Sequence, residues 1–339
     1  VIPTDSPTPT ASPGLARYAK VVVVAAFCLI FTGGHTTTSG AGMAFPDWPL
    51  SNGSLNPEGW LSNFFMFLEH SHRLTAGLVA TLITVLFVWV VVRRAALPRA
   101  AFWLALWALV GVLTQALLGG LRVMLDPQGI AATTSTIATT FRVLHGCCAQ
   151  IELTLVVALA AVLSPLWPRF TGQPDYRKIA RAGWITVGIL FVQLIVGAIM
   201  RHLGAGLAIP SFPLTTDGGI MPKVHNAYVD LNFTHTRFGA LVATLSIVWL
   251  SSRTLRLGGT EDRLVRPAML LMALVAVQLI LGMLVIWHLR PPLLTTLHVV
   301  NGAAVLATAV LLTVRACRSP GADVHDETAP NPHLLGATA

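Results

Sequence analysis

Polar and apolar positions alternate on the scale of whole segments: eight long apolar stretches are separated by short polar ones. Their limits fall at 18–39, 62–92, 99–124, 141–163, 180–203, 232–252, 266–288 and 295–316. A helix needs about 20 apolar residues to cross roughly 30 Å of hydrocarbon. Backbone N–H and C=O groups find no water there, so each stretch predicts a transmembrane helix. The first stretch does not read as a cleaved signal peptide, because no small-residue cleavage site precedes Gly33-Gly34-His35-Thr36. The Pro/Thr/Ser-rich residues 1–14 and the polar tail after Arg318 read as disordered ends.

Composition agrees with this pattern. Of 339 residues 54% are hydrophobic and 11% charged, against roughly 25% charged in soluble domains. With a mean hydropathy of +0.71, a soluble globular enzyme is excluded. The net charge of +8 is explained by its placement. With the N-terminus inside, 15 of the 22 basic residues fall on inner segments, among them Arg93, Arg94, Arg177, Lys178, Arg253 and Arg256. Such a bias predicts both termini in the cytoplasm. The surplus is topological, and nucleic acid is not an expected partner. Four cysteines without a C-x-x-C pair form neither a disulfide framework nor a zinc site.

The two halves of the chain resemble each other. Gly40-Ala41-Gly42-Met43-Ala44-Phe45-Pro46-Asp47-Trp48-Pro49-Leu50 returns as Gly204-Ala205-Gly206-Leu207-Ala208-Ile209-Pro210-Ser211-Phe212-Pro213-Leu214, at an offset of 164. His72 returns as His235 and Gln115 as Gln278, both at 163, and His145 returns as His298 at 153. Constant offsets of this kind predict an all-α integral membrane fold of eight transmembrane helices, arranged as two tandem-duplicated four-helix bundles. The expected organisation is a disordered segment 1–17, an N-terminal bundle 18–163, a cytoplasmic linker 164–179, a C-terminal bundle 180–316 and a disordered tail 317–339.

Four of the eleven histidines stand out. His72, His145, His235 and His298 each lie near the start of an even-numbered span, so all four share one depth near the outer leaflet. Each bundle thereby offers two facing imidazoles, as six-coordinate haem iron requires. A lone histidine near a helix end is usually an interfacial residue; four at equivalent repeat positions favour ligation. His35, His202 and His288 suit interfacial packing, His225 lies in a loop, and His325 and His333 lie in the tail. Aligning His72 with His235 sets Glu69 opposite Asn232. Glu69 and His72 are three apart and share a helix face, so chemistry belongs to the first bundle. His70 points away and is accessory.

Pro46-Asp47-Trp48-Pro49-Leu50 in the first outer loop, Glu69-His70-Ser71-His72-Arg73 opening the second span, and the histidines of spans 4, 6 and 8 resemble the haem A synthase family, over residues 18–316. This resemblance implies a membrane oxidoreductase. It oxidises the C8 methyl of haem O to a formyl group by successive hydroxylations with water-derived oxygen, for cytochrome oxidase biogenesis. It further implies that His72 and His145 flank the substrate haem O and product haem A, with Glu69 as the acidic catalytic residue. His235 and His298 hold a haem b. Residence in the cell membrane, docking on haem O synthase, an unidentified electron acceptor and a homo-oligomer belong to the same expectation. The chain departs from some members in one respect. Phe45 precedes Pro46 and Ser51 follows Leu50 where a cysteine pair stands in those members, so a redox disulfide there is excluded.

Smaller signals stay open between two readings. Arg73 and Arg237 suit haem propionates or snorkel to the interface. Glu152, seven residues after His145, is a proton-pathway residue or is bonded to a neighbouring helix; Val305 takes its place in the second half. Gln115 and Gln278 suit helix packing, while Trp48, Trp60, Phe64 and Phe65 cover the porphyrin mouth or anchor at the interface. Two other functions fit four histidines: a non-catalytic two-haem b-type electron carrier, and a haem transport or handling protein.

Overall fold

The computed structural model describes residues 11–125, 136–165, 167, 175–258 and 261–317. Among them, eight helices are long and apolar enough to cross a membrane: α1 (Pro13–Thr38), α2 (Phe64–Val92), α3 (Arg99–Met124), α4 (Thr136–Val162), α5 (Tyr176–His202), α6 (Ala227–Leu257), α7 (Asp262–Trp287) and α8 (Pro292–Cys317). The strand-like structure among the described residues is a bridge between Ser51 and Ser54. The expectations for residues 1–10, for the tail from Arg318 with His325 and His333, and for Arg169 lie outside the described residues.

Most helices start earlier than the apolar stretches, and capping explains two of these starts, those of α1 and α6, as well as the start of α2. The Ser12 hydroxyl accepts the Leu15 N–H and Pro13 occupies the first turn, so α1 begins within the segment expected to be disordered. Asn63 accepts the N–H groups of Phe65 and Met66 at the start of α2, and Asn226 those of Tyr228 and Val229 at the start of α6. Hydropathy marks only the part of a helix that hydrocarbon covers; caps set where it starts.

Helix α1 packs on α2 and α4, and α3 packs on α2 and α4, closing one ring of four. Helices α5 to α8 close a second ring in the same order of neighbours; across the middle α8 meets α1 and α4, and α5 meets α4. Leu15, Ile83, Leu86 and Leu159 fill the first ring; Ile179, Ile247, Leu250 and Leu306 fill the second. The seam between the rings is made of small or slender residues, with Ala26, Leu153, Val157, Ala303 and Ala307 in one cluster. Small side chains let helix backbones approach closely, which is how helices associate where no hydrophobic drive separates protein from lipid. Trp103, Trp107, Val85, Leu245 and Ile280 point outward and are exposed, as a lipid-facing surface requires.

Candidate functional site

The four histidines are placed by four glycines. Each half-buried imidazole lies over a glycine of the preceding helix: His72 over Gly33, His145 over Gly119, His235 over Gly197 and His298 over Gly282. A Cβ on these glycines would lie 2.6, 3.3, 2.5 and 3.2 Å from the respective Cε1 atoms. Any larger residue would push the ring away, so the glycines set how closely the rings sit. His72 and His145 lie within electrostatic range of each other, as do His235 and His298. The imidazoles of His145, His235 and His298 meet the backbone of Gln115, Gln193 and Gln278, whereas His72 Nδ1 stands 3.3 Å from the Thr32 hydroxyl. No three His, Cys, Asp or Glu side chains gather into a chelating cluster among the described residues.

A cavity of about 270 Å³ opens between His235 and His298, with Gly197 and Gly282 in its wall. Its other walls are mostly apolar, as Leu190, Leu194, Val275 and Ile286 illustrate. Two imidazoles facing an apolar cavity, each ring cradled by a glycine, fit an iron porphyrin.

The first loop, residues 39–63, is tied to α2 by the residues predicted to be functional. Arg73 donates to the carbonyls of Asp47, Leu50 and Phe45, at 2.7, 2.5 and 3.3 Å, and to Glu69 Oε1 at 2.6 Å. Glu69 is buried at 3% exposure, and its Oε2 accepts the Phe45 N–H at 3.1 Å. Arg237 clamps the equivalent loop through the carbonyls of Pro213, Ser211 and Leu214, and Asn232 donates to the Ala205 carbonyl. Glu69 and Asn232 therefore hold corresponding loops with opposite polarity: the carboxylate accepts from a backbone N–H, and the amide donates to a backbone C=O. His70 bonds the Ser51 hydroxyl at 3.0 Å and meets the Trp60 ring edge-on at 4.7 Å, as an accessory loop anchor. Trp48 packs onto α3 at Gly120.

Other arginines reach the cavity end, and sequence reasoning passed over them. Arg201 and Arg290 line the cavity with His235 and His298, and Gly206 lies against the Arg290 side chain. In the first half Gly42, the repeat partner of Gly206, lies against the guanidinium of Arg122. The turn that delivers Arg290 carries two non-glycine residues in the left-handed region, Leu289 at φ 56° and Arg290 at φ 63°. Such conformations are costly and persist where the surroundings impose them. The repeated glycines are the one sequence signal that could have pointed to these arginines.

A further difference between the halves lies in α6. Residues Thr234–Gly239, which include His235, form a widened turn. The amide of Gln193 donates to the His235 carbonyl at 2.8 Å, satisfying a group that the widened turn releases. Gly239 lies against Gln193 and the Thr234 carbonyl. The positions corresponding to Gln193 and Gly239 are Leu29 and Ala76, and α2 is regular there.

The model of a family described as a cytochrome oxidase assembly protein, COX15-CtaA, matches residues 16–310. The heme A synthase of Azorhizobium caulinodans is 27% identical over 341 aligned positions, covering 90% of this chain and 95% of that protein. The chain belongs to the haem A synthase family. The heme A synthase of Chelativorans sp. is 30% identical over 306 positions, covering 77% of this chain and 79% of that protein. That of Bradyrhizobium sp. (strain ORS 278) is 24% identical over 326 positions, covering 85% and 87%. The family match spans all but the last residues of α8 and begins within α1, so both histidine pairs of this haem A synthase family member lie inside it.

Proposed function

We propose that the protein is a haem A synthase of the cell membrane, an oxidoreductase that converts the C8 methyl of haem O to a formyl group. Each repeat forms one four-helix bundle, and both termini face the cytoplasm. His72 and His145 hold the substrate in the N-terminal bundle. His235 and His298 hold a haem b in the C-terminal bundle, where it would supply one-electron transfer. The observation that carries this reading is the fourfold imidazole-on-glycine arrangement, with a carboxylate beside it in the N-terminal half alone.

In atoms, the methyl group and one water become the formyl group, four protons and four electrons. The electrons require an acceptor in or on the membrane. Glu69 lies on the face of His72 and takes a proton from the methyl carbon or the attacking water, or stabilises positive charge developing there. Its oxygens are held by Arg73 and the Phe45 N–H, so proton uptake weakens the clamp on the first loop and couples the loop to the chemistry. Arg122, Arg201 and Arg290, at the same end as the imidazoles, suit porphyrin propionates, while Arg73 and Arg237 position the loops that cover the sites. Haem O synthase as a docking partner, and assembly into a homo-oligomer, complete the proposal.

Pigment extraction from protein produced in a host that makes haem O tests it. Haem A or a hydroxylated haem O together with haem B is the expected result; haem B alone, at two per chain, identifies an electron carrier instead. In Glu69→Gln, haem B should remain at wild-type level while haem A falls roughly 100-fold or more, the scale of a lost general base. A normal haem A yield from that variant would remove the role given to Glu69.

A further inference from the structure

Helices α3 and α4 meet along a seam that differs sharply from its counterpart between α7 and α8. On α3, Gly119, Gln115 and Gly111 follow at intervals of four and share a face. Gly119 lies against His145, and Gly111 lies against the carboxyl of Glu152, so Gln115 stands between them. On α4, His145 and Glu152 are seven residues apart, two turns or about 10.5 Å along the axis. Glu152 is 8% exposed. Both of its oxygens, both amide atoms of Gln115 and Oε1 of Gln150 are buried with no hydrogen-bond partner among the described residues.

The second half closes the same seam with protein atoms. Gln278, the counterpart of Gln115, receives the Asn301 amide at 2.8 Å and stands 3.2 Å from His298 Nε2. Asn301 also donates to the Leu274 carbonyl; its counterpart is Cys148, which leaves Gln115 without that partner. Below Gln278 the pair corresponding to Gly111 and Glu152 is Leu274 and Val305, packed into the apolar core. The repeated seam thus has its glutamine partnered and its deeper positions apolar in one half. In the other it is lined by a carboxyl and an amide whose hydrogen-bonding needs the protein does not meet. Buried polar groups in such a position are satisfied by water when several converge, and ionisable residues within a membrane mark proton routes rather than packing.

We propose that the α3–α4 seam of the N-terminal half is a hydrated proton path, with Glu152 its protonatable terminus farther from the histidines. This inference rests on the haem A synthase reading, because oxidation of the substrate methyl releases protons next to His145. A proton leaving that site passes through water ordered by Gln115 to the Glu152 carboxylate. The carboxylic acid holds it there, because Val156 and Leu159 fill the next turns of α4. No electron moves along this route. Gly111 is required because a side chain there would occupy the space of the Glu152 carboxyl.

Infrared difference spectra of the purified, pigment-loaded protein, recorded on reduction and reoxidation, test the path beside pigment analysis. In the wild type a carboxylic C=O band should appear or vanish with the redox change and shift in D2O. Glu152→Gln should abolish a band that Glu69→Gln leaves in place, leave haem B bound, and lower haem A at least tenfold with haem O or its hydroxylated form accumulating. Glu152→Asp should restore part of the yield. Gly111→Leu combined with Glu152→Val copies the second half and should retain haem B while losing the band. A carboxylic band pattern in Glu152→Gln identical to that of the wild type, or a wild-type haem A yield from that variant, overturns the path while leaving the enzyme reading intact. Wild-type protein that yields no haem A in a haem O-producing host overturns the enzyme reading and the path with it.

Discussion

At the scale of single residues, the glycines beneath the imidazoles matter as much as the imidazoles. Gly197 leaves no space for a methyl group, since its Cβ would lie 2.5 Å from His235 Cε1. Overpacking of this kind typically costs about 1–3 kcal/mol. Gly197→Ala is therefore expected to lower haem B content several-fold, measured by the pyridine haemochrome spectrum, while Gly188→Ala, with open space around its Cβ position, leaves it unchanged. Glu69 illustrates why a residue's identity does not disclose its duty. The sequence sets it apart as the acid beside His72, and the structure shows the same carboxylate bonding the Phe45 N–H and Arg73. Arg73→Lys should loosen residues 45–50, because a single ammonium cannot reproduce a guanidinium fork reaching three carbonyls. Faster amide exchange in that segment, with haem B content preserved, is the expected readout.

At the scale of elements, the first loop is built around Asp47, whose two oxygens accept the N–H groups of Asn52 and Gly53, each at 2.7 Å. Partial burial works against its ionisation, but these backbone bonds, with Arg73 nearby, outweigh it and hold the carboxyl below its ordinary value. A depressed folded-state value means the stabilisation is present above the unfolded carboxylate range, near pH 4, and is lost as pH falls through the lower folded value. Amide protection at Asn52 and Gly53 should follow that course, and Asp47→Asn should flatten it. The widened turn of α6 depends on a matching pair, Gln193 and Gly239. Replacing both with the first-half residues, Gln193→Leu with Gly239→Ala, is expected to restore a regular turn and alter the low-spin haem B spectrum; an unchanged spectrum would show that the turn does not set His235.

At the scale of the whole molecule, two rings of four helices share a seam of small residues. Ala303 is fully buried there, and the Thr38 and Thr296 hydroxyls bond at 2.8 Å across α1 and α8. Ala303→Phe should wedge the seam open and lower thermal stability in detergent by about 1–3 kcal/mol. Reporter fusions at both ends test the orientation inferred from the basic residues: activity on the same, inner side is expected, and opposite sides would refute it. The eight spans were legible because the cost of burying polar backbone and side chains in lipid writes itself into local composition. The starts of α1 and α6 were not, because capping by Ser12 and Asn226 is a matter of one hydrogen-bonding side chain each.

The linear order of residues by itself determined the eight spans, the repeat offsets, the four equivalent histidines and the glutamate that breaks the symmetry. These follow from hydropathy and self-comparison, which need no knowledge of neighbours in space. Tertiary structure decided what each of these residues meets. Arg73 and Arg237 turn to loop carbonyls while Arg201 and Arg290 face the cavity, and each imidazole rests on a glycine some 16–39 positions distant. Gln115 and Glu152 lie in a seam that Asn301, Leu274 and Val305 close in the other half. The reason is geometric: the rotation of each helix about its axis, and its distance from the next, emerge only when all eight pack together.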